Sequence, residues 1–264
     1  MKPISVALSG SGFKLSAFVG ALQAFKDADY QIMEVAGTSG GSIIGGLLSS
    51  GMSPEMMHDL VMKTDFSALM PWSWWGWWNG LSNSDPLYRW LLEHTGHATC
   101  GQTTIPYTAI ASDIANESTY VFSTDSTPEV EVAQASRCSA SIPFIYQSQR
   151  IGEALLVDGG VRNNIPVNHL TKKFPRIGLM LTSQPTLDTN PSFISYAGRV
   201  IDSMLSANEK TRQMLAFKTQ SRILEIPTFG VSMLDRKMSA TDRMRLYNSG
   251  YEAVEKFLDS SESV

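Results

Sequence analysis

A chain of 264 residues with 43% hydrophobic and 17% charged residues can bury one large core beneath a sparsely charged surface, which excludes a wholly disordered chain and is satisfied by a single domain over 1–264. The formal net charge of -4 supplies no basic face, so nucleic acid is excluded as an expected partner. Two cysteines, Cys100 and Cys138, stand at no metal-ligand spacing and predict reduced thiols rather than a disulfide framework.

The opening Met-Lys-Pro runs straight into an apolar stretch, without the regions of a signal peptide, and no apolar run reaches the roughly 18 residues of a spanning helix. The expectation is a cytoplasmic protein with at most peripheral membrane contact. Export by a route without a cleavable signal stays open.

Residues 4–8 predict a buried strand, and Ser9-Gly10-Ser11-Gly12 follows directly. From Leu15 the apolar Phe18, Val19, Leu22 and Phe25 recur at helical spacing, completing a strand, a glycine-rich turn and a helix. Such a turn offers backbone N–H groups to an anion. A dinucleotide fingerprint would need a third glycine where Leu15 stands, and a P-loop would need Gly-Lys-Ser or Gly-Lys-Thr, whereas Lys14 lies between Phe13 and Leu15. Two readings are left: an oxyanion hole built from the amides of Gly10, Ser11 and Gly12, or a plain tight turn.

A second unit of the same kind spans residues 32–47. A short apolar strand leads into Gly37-Thr38-Ser39-Gly40-Gly41 and then a helix. In a G-x-S-x-G elbow the serine occupies a sharp, strained turn, and Gly37 and Gly41 permit close backbone approach. Ser39 would project from a strand end as a nucleophile, with helix N-terminal amides nearby. An ordinary glycine and serine turn is the alternative.

Residues 70–81 hold five of the six tryptophans: Trp72, Trp74, Trp75, Trp77 and Trp78. Two readings carry equal weight: a lid or membrane-docking segment, or packing against the body or a second subunit. Further on, 86–93 predicts a helix, 105–112 and 119–122 a hairpin, 130–139 a short helix, and 154–157 a strand ending at Asp158-Gly159-Gly160. An asparagine-rich loop over 161–166 precedes a strand at 176–182, a helix at 192–219, a strand at 223–226 and a last helix at 241–258. This alternation predicts a three-layer α/β/α sandwich with a mostly parallel central sheet.

The glycine-rich loop ending in Lys14, the Gly37-Thr38-Ser39-Gly40-Gly41 elbow and the downstream Asp158-Gly159-Gly160, in this order, resemble the motifs of the patatin-like phospholipases. The resemblance implies that family's fold and a serine lipid acyl hydrolase in which Ser39 is the nucleophile and Asp158 its base. The residues alone give a compatible account. An α/β-hydrolase needs an acid and then a histidine after the serine, with several strands before it, and Ser39 follows only two. His58, His94, His97 and His169 sit in no loop motif, and His169 is expected on a solvated helix position. A carboxylate must then take the serine proton. Asp158, at a strand end before two glycines, is the first candidate, and Asp113, better suited to a hairpin turn, is the second. Lys14 is expected to structure its loop or to draw anionic head groups.

The expected activity is metal-independent hydrolysis of a phospholipid or another acyl-ester lipid, of phospholipase A or lysophospholipase type, through an acyl-enzyme, with no cofactor and no metal site. Acyl transfer, thioester hydrolysis and a non-catalytic membrane-binding module remain as alternatives. A homodimer and an activator stay open.

Overall fold

The structure, a computed structural model, describes residues 1–71, 80–183 and 219–262. The tryptophans of the expected lid and nearly all of the helix expected at 192–219 lie outside the described residues.

β1 (Lys2–Leu8), α1 (Leu15–Asp27), β2 (Tyr30–Thr38) and α2 (Gly40–Ser49) form the two expected strand-turn-helix units. Then come α3 (Pro54–Lys63), α4 (Phe66–Leu69) and α5 (Asp85–His94), the hairpin of β3 (Tyr107–Asp113) and β4 (Ser118–Ser123), and α6 (Val132–Ser139). The chain continues through β5 (Gln149–Ile151), β6 (Ala154–Asp158), β7 (Arg176–Thr182), β8 (Arg222–Pro227) and α7 (Ala240–Glu262). The ten-residue α3, the four-residue α4 and the three-residue β5 are additions to the expected elements. The start of α3 is written in the sequence all the same: Ser53 caps it by accepting from the Met56 N–H, and Pro54 occupies the first turn, where its missing donor costs nothing.

The eight-stranded sheet runs β5-β6-β3-β2-β1-β7-β8, with β4 paired to β3. β1 pairs in parallel with both β2 and β7, and parallel pairing extends outward to β3 and β8. At the other end the sheet turns antiparallel, where β3 meets β4 and β6, and β6 meets β5. The sheet is therefore mixed but mostly parallel. A strand at the middle of a parallel array is buried on both faces, and residues 4–8 of β1 are all buried. Side chains alternate between the faces. Val6, Leu8, Val35 and Leu179 enter the large core with α1 and α2, while Ala7, Ala36 and Met180 meet Ile165, Val167 and Leu170 on the opposite face. This is the expected three-layer α/β/α arrangement.

One topological detail positions the site. β4 runs along one edge of β3, from Thr108 to Asp113. A strand has only two edges, so β2 and β6 share the other. β2 covers it up to Thr38 opposite Ile110, and β6, running antiparallel, ends with Asp158 opposite the next residue, Ala111.

Candidate active site

Ser39 sits between β2 and α2 with φ at 54 and ψ at -128. This left-handed conformation costs a residue other than glycine roughly 1–2 kcal/mol, and it persists only where the surroundings over-determine it. Here they do. The Ser39 N–H donates 2.9 Å to Ser139 Oγ at the end of α6, and that hydroxyl donates 2.5 Å to the Ile110 carbonyl of β3. The Ser39 carbonyl accepts from the Ser42 N–H and hydroxyl and the Ile43 N–H as α2 begins. Gly37 and Gly41 lie where the elbow requires them: a Cβ on Gly37 would fall 2.4 Å from the Gly41 carbonyl oxygen, and one on Gly41 would fall 2.4 Å from those of Leu8 and Ser9.

Asp158 closes β6. Its N–H donates 2.8 Å to the Ser141 carbonyl, and its Oδ1 accepts 2.7 Å from the Gly160 N–H. Among the described residues its Oδ2 and Ser39 Oγ, both buried, have no formed hydrogen bond. They are nonetheless neighbours, close enough for the Ser39 hydroxyl to favour the ionised carboxylate. Burial outweighs that help and the Gly160 amide together, and pushes the Asp158 carboxyl up to about 6. A carboxylate with such a pKa is a stronger base than a solvated aspartate and still ionised at neutral pH.

The rival bases are placed elsewhere. Asp113 accepts from the Ala115 and Asn116 N–H groups, from Asn116 Nδ2 and from the Leu155 N–H, and it closes the β3–β4 turn as its sequence context suggests. These donors, the Asn116 side chain first, hold it below the usual carboxylate range. His169 belongs to a single turn of 3-10 helix, Val167–His169, and is half-buried rather than solvated, so desolvation lowers its pKa. The His94 Nδ1 faces the Trp90 carbonyl, and His58 lies beside Asp59 and Tyr247.

The glycine-rich loop lies directly against the elbow, since a Cβ on Gly40 would fall 2.1 Å from Ser11 Oγ. Its three amides are not equivalent. The Gly10 N–H is shared between the backbone carbonyl and the side-chain Oδ1 of Asn164, each at 3.1 Å. Among the described residues no hydrogen bond engages the Ser11 and Gly12 amides. Gly10 therefore anchors the loop, and Ser11 and Gly12 keep their donors. Lys14 is buried, and its Nζ donates 2.8 Å to Ser183 Oγ and 3.4 Å to Thr228 Oγ1. It ties the loop to the ends of β7 and β8, which rules out the head-group role because its ammonium does not face solvent.

Beside Ser39 opens a cavity of about 30 Å³ walled by apolar side chains, among them Phe13, Ile43, Phe66, Leu87, Trp90 and Ile142. One wall is a ring pair, Phe13 and Phe66, with centroids 5.4 Å apart. Among the described residues no three His, Cys, Asp or Glu side chains gather as a metal site would require, and no helix is long and apolar enough to cross a membrane.

A strained serine turn, a carboxylate at the adjoining strand end and a loop whose Ser11 and Gly12 amides are unengaged among the described residues agree with what the chain resembles by comparison. Residues 6–171 match the family model described as patatin-like phospholipase. The chain belongs to this family. It is 27% identical to the protein YqhO of Bacillus subtilis over 97% of this chain and 98% of that one. It is 26% identical to the NTE family protein Rv1063c of Mycobacterium tuberculosis over 62% of this chain, but spans only 44% of that relative. Among solved structures it resembles VipD from Legionella pneumophila, with a TM-score of 0.66 at 15% identity over 98% of this chain and 67% of that one. It also resembles the type III effector ExoU of Pseudomonas aeruginosa, with a TM-score of 0.59 at 16% identity over 98% of this chain and 53% of that one. The two structural likenesses carry the fold, and the family match supports a patatin-like lipid hydrolase.

Two residues of the site escape a reading of the sequence. Asn164 had a faint signal in the asparagine-rich loop, where Asn163 also takes part: its carbonyl accepts 2.8 Å from Thr38 Oγ1. Ser139 had none, since a serine closing a short helix is ordinary until the elbow is seen beside it.

Proposed function

We propose that this patatin-like protein is a serine lipid acyl hydrolase that cleaves fatty-acyl esters of phospholipids or lysophospholipids through Ser39 and Asp158, without a metal. One observation carries the proposal: among the described residues Ser39 Oγ and Asp158 Oδ2, neighbours in the interior, are both left without a formed hydrogen bond beside an apolar cavity. Buried polar atoms are rarely left so unless function needs them.

In the proposed sequence Asp158 takes the Ser39 proton as Oγ bonds to the ester carbonyl carbon, and the carbonyl oxygen becomes an oxyanion held by the Ser11 and Gly12 amides. The bond to the leaving alcohol breaks as Asp158 returns the proton to its oxygen. This leaves the acyl group esterified to Ser39. A water then gives a proton to Asp158 and its oxygen bonds to the acyl carbon, Ser39 recovers the proton, and a fatty acid departs. The N-terminus of α2, directly after Ser39, adds partial positive charge near both oxyanions.

Fatty-acid release from phospholipid vesicles without added metal, compared among the wild type, Ser39→Ala and Asp158→Asn, tests this reading. The expected result is release by the wild type alone, with both variants folded. Activity kept by Asp158→Asn would remove Asp158 as the base.

A further inference from the structure

The turn between α6 and β5 buries its residues on both sides of one exposed ring. Ile142, Ile145 and Tyr146 are at most 4% exposed, yet Phe144 among them is 73% exposed. Its φ is 67, a left-handed conformation that a bulky side chain rarely adopts. The turn is firmly held there. The Ile145 and Tyr146 N–H groups donate to the Ile142 carbonyl, the Leu81 N–H donates 3.2 Å to the Phe144 carbonyl, the Ser82 N–H donates 2.9 Å to the Ile145 carbonyl, and the Gln147 N–H donates 3.0 Å to the Ser82 carbonyl. Strained residues held by their surroundings cluster at active sites and ligand contacts.

The position of this ring points to its use. Ile142 and Tyr146, on either side of it, wall the cavity that contains Ser39, and the Ser141 carbonyl accepts from the Asp158 N–H. In the turn that follows Asp158, Val161 is 44% exposed and Arg162 is exposed beside it. An aromatic ring between two cavity-lining residues, and an aliphatic side chain and a guanidinium in the turn after Asp158, are the chemistry that settles at the boundary between lipid head groups and acyl chains.

We propose that the Phe144 turn docks the chain on an anionic phospholipid surface, seating the ring at the head-group boundary so that the Ser39 cavity opens toward the bilayer. The inference rests on the lipid-hydrolase reading for the identity of the surface, but it is testable without turnover. Binding to vesicles of phosphatidylethanolamine and phosphatidylglycerol in equal parts is measured by co-sedimentation in the Ser39→Ala background. Phe144→Ser should weaken partition roughly tenfold, the loss expected for an unburied aromatic ring, while Phe144→Leu keeps most of it. With Ser39 intact, Phe144→Ser should hydrolyse a water-soluble p-nitrophenyl ester as the wild type does.

Vesicle binding by Phe144→Ser equal to that of its parent would overturn the proposal, as would loss of soluble-ester hydrolysis, which would make the turn merely structural. A change of oligomeric state in Phe144→Ser with vesicle binding intact would assign the ring to a second copy and overturn it too. Binding that depends on Phe144 in a protein that never releases fatty acid would leave this inference standing while the hydrolase reading fails.

Discussion

Ser39 and Asp158 are brought together end to end along a single edge of β3: the strand that delivers the serine leaves that edge opposite Ile110, and the strand that delivers the aspartate joins it opposite Ala111. Because β6 runs antiparallel to β3 while β2 runs parallel, the C-terminal ends of the two strands point at one another. The arrangement also explains the burial of the carboxylate, which is enclosed by the sheet rather than carried on a loop. It explains Ser139 as well, since its bond to the Ile110 carbonyl ties the elbow to the same register point.

The burial of Asp158 gives a pH dependence with a definite sign. Its carboxyl titrates near 6 in the folded chain against an ordinary value of 3.8, so between these values the folded state holds the extra proton. The stabilising contribution is complete below the ordinary value and is lost as pH rises through about 6, a change on the order of 3 kcal/mol. Asp158→Asn should therefore be the more stable protein above pH 6 and lose that advantage toward pH 4, as read from urea midpoints across the range. For activity the sign is opposite: kcat/KM should rise with pH to half its plateau near 6, because the base must be ionised. A profile flat through this window would show that the carboxylate does not act as the base.

The left-handed Ser39 stores strain that a glycine would release. Ser39→Gly should abolish activity and at the same time raise stability by about 1 kcal/mol, measured as a higher urea midpoint with an unchanged slope. A lower midpoint would mean that the elbow is not strained.

Asn164 holds the Gly10 amide, and through it the loop that carries the Ser11 and Gly12 donors of the proposed oxyanion hole. Asn164→Ala, which keeps the backbone acceptor and removes the side-chain one, should lower kcat about tenfold, with KM nearly unchanged, because the misplaced donors serve only the oxyanion. An equal fall expressed in KM would instead place Asn164 in lipid binding. Vesicle partition of the variant should match the wild type.

Much of this molecule is legible in its sequence because the information is local. The two strand-turn-helix units, the β3–β4 hairpin and the strand ending at Asp158 each follow from periodicity and from glycines a few residues apart. Ser39, Gly37 and Gly41 can be named for the same reason: an elbow is a property of five consecutive residues. α4 and β5 escape such a reading because they are short, and α3, though ten residues long, is held by tertiary packing as well as by its own propensity. Arg243, reaching from α7 to the Val61, Met62 and Thr64 carbonyls at the end of α3, is such a contact.

What the sequence by itself determined is which residues stand at strand ends with the chemistry for acyl transfer. Only the tertiary structure decided which of them meet. Asp158 and Asp113 are both aspartates closing strands, and the register of β6 on β3 alone puts one beside Ser39 and leaves the other in a turn. The same long-range pairing gives the Gly10 amide to Asn164, leaves those of Ser11 and Gly12 unengaged among the described residues, and buries Lys14 against Ser183 and Thr228. Contacts between residues far apart in the chain are fixed by how the sheet closes its core, and a local pattern carries no record of that.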